Sequence, residues 1–179
     1  MKRTNRLVLA FIILLITVGA DQIAKVIAQR QLASTPPIFL ANGALQLFYI
    51  QNQGAFLSPG ANMPAAARFI IFVLLGSVLV AGVFYLIARE ESLDGLQVAA
   101  LSLLASGGVG NLLDRLLHNG QVVDFMRIEV GIFHTGVFNV ADVAIMAGVF
   151  AILLSLIKSK KGPQEPARPS DQDSTIKEA

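Results

Sequence analysis

FNVADVAIMAGVFAILLSLI, residues 138–157, is twenty residues with a single charge, Asp142, one turn from its start. Leu, Ile, Val, Phe and Ala fill most of it. Three other stretches share this character: Leu7 to Ala20 and on through DQIAKVIA to Ala28, the uncharged run Phe69 to Ala88, and about Leu96 to Leu113. A helix rises about 1.5 Å per residue, so roughly 20 residues cross a hydrocarbon layer of about 30 Å. Four such segments in 179 residues leave too little polar surface to sheathe them in water. Charged residues make up 15% of the chain, well below the roughly 25% of soluble domains. The sequence therefore predicts four transmembrane helices.

The net charge of +2 is not spread as a nucleic-acid footprint, and no nucleic-acid partner is expected. Lys2, Arg3 and Arg6 precede the first span, Arg89 lies between the second and third, and Lys158, Lys160 and Lys161 follow the fourth. Arg30, Arg68 and Arg127 sit in longer loops on the other side. This bias places both termini in the cytoplasm and the loops of about 29–68 and 117–136 outside. KRTNR followed by an apolar run and TVGA resembles a signal peptide. The four-span topology favours reading it as a retained first helix. Residues 1–157 form the expected membrane domain, and the polar, proline-containing 158–179 a disordered cytoplasmic tail.

Two outer segments alternate apolar and polar residues: ALQLFYIQ (44–51), preceded by the turn signal Asn42-Gly43, and VVDFMRIEVGIF (122–133). They predict short strands on the outer membrane surface. The expected fold is thus an all-α membrane protein with four transmembrane helices and a small β-structured outer layer.

On this topology the polar residues gather at one depth. Asp21 and Lys25 share a face at the outer end of span one. Asn111, Asp114 and Arg115 end span three, Asn139 and Asp142 begin span four, and Asn52 and Asp124 lie in the outer loops. Individually, each has an ordinary explanation. Asp21 with Lys25 reads as an interfacial ion pair, Asp142 as a helix cap, Asn111 and Asn139 as interhelical glue, and Asp124 as a loop aspartate. A carboxylate inside a span costs at least a few kcal/mol, so the gathering itself points to function. Ser102, Ser106 and Gly110 recur every four residues in span three, with Gly107 and Gly108 between, a pattern for close helix approach.

The chemistry available is limited. There is no cysteine, hence no thiolate nucleophile or thiolate metal site. His118 and His134 have no partner at HExxH spacing, so neither a metal nor any other cofactor is expected. No GxSxG elbow is present, and Ser58, the nearest serine, has no His or Lys beside it. Aspartates remain. Two neighbouring carboxyls share a proton; one activates water while the other polarises a carbonyl. By position, Asp124 and Asp142 form the best pair. The rival class is a small proton-coupled transporter subunit, in which intramembrane aspartates relay protons.

DQIAK (21–25), NQGAF (52–56), GNLLDRL (110–116), VVDF (122–125) and FNVAD (138–142), in this order on four spans, resemble lipoprotein signal peptidase, the type II signal peptidase of bacteria. The resemblance covers about residues 5 to 157. It implies an aspartic peptidase of the inner membrane, active at its outer face. Its substrates would be prolipoproteins, cut on the N-terminal side of a cysteine already carrying diacylglycerol. It implies Asp124 and Asp142 as the catalytic pair and Asn52, Gly54, Asn111, Asp114, Arg115 and Asn139 as residues shaping the substrate site. Asp21 and Lys25 would be structural. Membrane lipid is the other expected partner, and a monomer suffices because one chain carries both aspartates. Gly54 and Gly60 would let the NQGAF loop move over the site.

Overall fold

Each of the four apolar stretches is one long helix in the computed structural model, which describes residues 1–54 and 63–159. The spans are Arg3–Leu32, Ala66–Arg89, Gly95–Leu117 and Val140–Ser159. The first three run several residues past their apolar cores, because a helix continues until its end groups find other partners. Their outward faces are greasy: Phe11, Ile16, Val78, Leu79 and Phe150 are each more than half exposed. That surface suits lipid rather than water. The protein is a multi-pass membrane protein. Most of the expected tail, with Ser58, Gly60 and the end of NQGAF, lies outside the described residues.

The end of the bundle away from the sheet is closed by side chains. Asp94 and Gln97 exchange reciprocal hydrogen bonds (2.8 and 3.0 Å) and cap span three. Arg6 does more than bias topology. It is 1% exposed, and its Nε and Nη2 donate to the carbonyls of Ile87 (3.1 Å) and Ala88 (3.5 Å) in the last turn of span two. A charged hydrogen bond of this kind contributes about 1.5–3 kcal/mol. Span two itself contains a π-helical stretch, Phe69–Leu75.

The loops build a four-stranded antiparallel sheet in the order β1 (Ile38–Leu40), β2 (Leu45–Asn52), β3 (Val122–Val130), β4 (Phe133–His134). Asn42 (φ 56°) and Gly43 (φ 88°) make the turn between β1 and β2, as their residue types predict. β2 pairs with β3 from Leu45↔Ile128 to Asn52↔Val122, with a bulge between Leu47 and Ile50. The bulge falls opposite Phe125, next to Asp124, where extra twist re-aims side chains. The expected alternation of β3 holds only in its second half. Val122 to Phe125 are all buried, because the sheet is covered on both sides where it meets the helices.

Spans three and four pack through glycine. A Cβ at Gly107 would collide with the carbonyl of Ala141 and lie 2.7 Å from Ile145 Cγ1. A Cβ at Gly110 would lie 2.7 Å from Asp21 Oδ2, and one at Gly148 2.6 Å from the carbonyl of Ala100. Gly107 and Gly148 therefore bring spans three and four together, Gly110 packs against Asp21 of span one and Ala141 of span four, and Gly108 faces Val80 of span two. This contact fixes the start of span four, and with it Asp142, against Asn111.

Candidate active site

Phe138 joins the sheet to span four. Its carbonyl accepts from Phe125 N (3.1 Å) and Met126 N (2.9 Å), and its N–H donates to Met126 O (2.8 Å). The chain then enters the helix at Asn139, so Asn139 lies beside Asp124. Asn139 Nδ2 donates to Asp124 Oδ1 at 2.7 Å. Asn139 and Asp142 also form a reciprocal cap: Asp142 N–H donates to Asn139 Oδ1 (2.9 Å), and Asn139 N–H donates to Asp142 Oδ2 (3.1 Å). One asparagine thus touches both aspartates.

Two further amides complete the pattern. Asn52, at the end of β2, donates from Nδ2 to Asp124 Oδ2 at 2.9 Å. Its Oδ1 accepts from Gly54 N (2.9 Å), so the first glycine of the NQGAF loop holds the amide in place. Asn111 donates from Nδ2 to Asp142 Oδ1 at 2.9 Å. Both oxygens of each aspartate therefore accept a hydrogen bond.

Beneath this layer lies a buried ionic one. Lys25 Nζ is 2.8 Å from Asp21 Oδ2 and 3.0 Å from Asp114 Oδ2, and all three residues are at most 3% exposed. The interfacial pair expected at Asp21 and Lys25 is instead sealed inside the bundle. Both belong to helix–helix contacts that hide their charges from water. Asp21 Oδ1 accepts from Ala141 N (2.9 Å), so span one caps span four. Asp114 Oδ2 accepts from Val123 N (2.9 Å), which docks β3 one residue before Asp124. Gln22, not singled out in the sequence, donates to Asp114 Oδ1 (2.9 Å), Gly110 O (3.3 Å) and Asp21 Oδ2 (3.2 Å). A polar residue in an apolar helix between Asp21 and Lys25 was the available signal.

Arg115 is half-buried. Its Nη2 donates to Gly54 O (3.0 Å) and its Nη1 to Asn111 O (3.3 Å), and its guanidinium sits 5.2 Å above the Phe72 ring. Its Nε is a buried donor with no hydrogen-bond partner among the described residues. Alongside Asp142 runs an open groove of about 540 Å³, lined also by Ile128, Thr135, Phe138, Val143, Met146, Ala147 and Phe150. Apart from Asp142 and Thr135, this lining is apolar.

The electrostatics of Asp124 follow from this setting. Burial pushes its carboxyl up from 3.8 to about 6. The hydrogen bond from Asn52 opposes the rise, the charge of Asp142 adds to it, and the Asn139 hydrogen bond and Lys25 charge oppose it. The folded state therefore holds this proton more tightly than the unfolded chain. The corresponding stability is fully present below about pH 4 and is lost as pH rises through about 6, to the extent of roughly 2–3 kcal/mol. Thermal melts of wild type and Asp124→Asn from pH 4 to 7 check this. The expected result is a wild-type melting temperature that falls with pH relative to the variant. Parallel curves would show that Asp124 titrates normally.

The polar residues at the junction of sheet and spans thus form one connected network around two carboxyls and an apolar groove. The sequence pattern of a peptidase family, signal peptidase II, matches residues 13–158. The chain belongs to the signal peptidase II family. The lipoprotein signal peptidase of Maridesulfovibrio salexigens is 32% identical over 87% of this chain and 99% of its own length. That of Geobacter sulfurreducens is 34% identical over 79% of this chain and 86% of its own. A solved bacterial membrane enzyme shares the fold with a TM-score of 0.75, at 24% identity over 87% of this chain and 92% of that one. Membership of the signal peptidase II family makes the chain a peptidase.

Proposed function

We propose that this peptidase removes signal peptides from diacylglyceryl-modified prolipoproteins of the bacterial inner membrane by an aspartic mechanism. The single observation that carries the reading is the pairing of Asp124 with Asp142 through Asn139, with Asp142 lining an apolar groove. The site faces outward and both termini lie in the cytoplasm, on the argument from the Lys/Arg bias. An apolar signal helix and acyl chains suit a groove lined by Met146 and Phe150, while the scissile bond lies at the polar layer.

The pair works with one proton between its two carboxyls. The ionised carboxylate removes a proton from water as the water oxygen bonds to the scissile carbonyl carbon. The protonated carboxyl gives its proton to the carbonyl oxygen. The resulting gem-diol then collapses. Its nitrogen takes the proton that water lost, the C–N bond breaks, and a diol hydroxyl returns its proton to the pair. The products are the signal peptide carboxylic acid and the free amine of the lipidated cysteine. Asn52, Asn111 and Asn139 hold the two aspartates at fixed geometry, which saves reorganisation during the reaction.

The test is cleavage of a matched pair of purified prolipoproteins, with and without the diacylglyceryl group, by the full chain in detergent with a chelator. Cutting of the lipidated form alone, unaffected by chelator, is expected. Equal cutting of both forms would overturn the substrate assignment, and loss with chelator would overturn the aspartic mechanism.

A further inference from the structure

Three amides present N–H groups to the two aspartates, and an amide has two faces. Turned end for end, it would set an oxygen against a carboxylate. Each carbonyl oxygen must therefore be held by a donor that cannot also accept. Asn52 Oδ1 is held by the backbone N–H of Gly54, at 2.9 Å. Asn139 Oδ1 is held by the backbone N–H of Asp142, also at 2.9 Å. Asn111 lies in mid-helix, and the donor to its Oδ1 that can never accept is Lys25 Nζ, at 3.1 Å. An ammonium has three donors and no acceptor. Here those donors face Asn111, Asp21 and Asp114. Asn139 Nδ2, with two N–H groups, donates both to Asp124 Oδ1 (2.7 Å) and to Asn111 Oδ1 (3.1 Å), but as part of an amide it is a donor that could turn, whereas Lys25 cannot.

We propose that Lys25 is a positioning residue for hydrolysis: its ammonium fixes the Asn111 amide with its N–H₂ toward Asp142. Its role extends past neutralising two buried carboxylates. The inference rests on the aspartic reading above. It assigns Lys25 an effect on turnover that travels through Asn111, beside the influence of its charge on Asp124.

The experiment is a coupling cycle. Removing Lys25 alone strands both Asp21 and Asp114 without a cation, so Asp21→Asn is combined with Lys25→Met, which leaves Asp114 as the one buried carboxylate without its cation. This removes one positive and one negative charge and leaves the cluster's net charge unchanged. The pair replacement is made in wild type and in Asn111→Ala, and kcat, KM and melting temperature are measured with a lipidated prolipoprotein. In wild type it is expected to lower kcat by about 10²-fold with KM little changed, the scale of a misplaced reacting group. In Asn111→Ala it is expected to lower kcat no further. An equal loss in both backgrounds overturns the inference, as does a loss of melting temperature without a loss of kcat.

If the replaced pair does not fold, Lys25→Arg decides. It keeps both charge and donors, and kcat clearly above that of Asn111→Ala is expected. A folded Lys25→Arg as slow as Asn111→Ala overturns the proposal. Asp142→Asn is run alongside. If that variant cuts normally, the aspartic reading itself fails; if it is dead while the cycle is additive, only the role of Lys25 fails.

Discussion

Asp124→Asn and Asp142→Asn chains, purified in detergent, should cut a lipidated prolipoprotein about 10²–10⁴-fold more slowly than wild type, the range for loss of a general acid or base. An amide neither takes a proton from water nor gives one to a carbonyl. Yet the amide is not a silent replacement here. Asp124 accepts from Asn52 and Asn139, one on each oxygen, and Asp142 accepts from Asn111 and from the Asn139 backbone. An asparagine has one acceptor oxygen, so one contact becomes donor against donor. That costs about 1–3 kcal/mol in a buried site, or a few degrees of melting temperature in a chain of this size. Thermal melts alongside the assay separate the two effects. Folded variants that turn over at rates near wild type would sink the catalytic assignment and leave the cluster as interhelical glue.

A single methyl group on span three should also slow the enzyme, from a position without a titratable atom. In Gly107→Ala the new Cβ meets the Ala141 carbonyl and the Ile145 side chain of span four. The carbonyl is backbone and cannot turn aside, so the helix must move. Overpacking of this kind costs about 1–3 kcal/mol. The same displacement carries Asp142, one residue after Ala141, away from Asn111 and from Asp124 on the sheet. Loss of alignment at that scale lowers kcat by about 10²-fold. The variant is expected to fold, melt several degrees lower and turn over slowly. Gly82→Ala in span two, where a Cβ meets nothing within 4 Å, is the control and should match wild type. Equal kcat in Gly107→Ala and the control would show that the contact between spans three and four does not set the geometry of the site.

The four spans were legible because membrane crossing is a local requirement. Each segment needs about 20 apolar residues whatever the rest of the chain does. The strands were legible in part, from alternation and from Asn42-Gly43, but the double burial of Val122 to Phe125 was not. Alternation reports one covered face, and here the helices cover the second. The depth of the polar cluster followed from placing each residue on its span. What each member touches did not. Lys25 reaches Asn111, 86 positions along the chain, and Asp21 caps Ala141, 120 positions along. Arg6 read as a flanking charge, and Gln22 did not stand out, until their partners were in place.

The sequence by itself determined four apolar crossings and a polar layer at one depth with four aspartates in it, because burial and helix period act residue by residue. Only the tertiary structure decided that Phe138 pairs with Met126 and so sets Asn139 between Asp124 and Asp142. That geometry depends on a backbone pairing between the sheet and the start of a helix, reinforced by glycine contacts between spans. No local pattern specifies such a pairing. It forms because it satisfies the start of span four and the edge of β3 together.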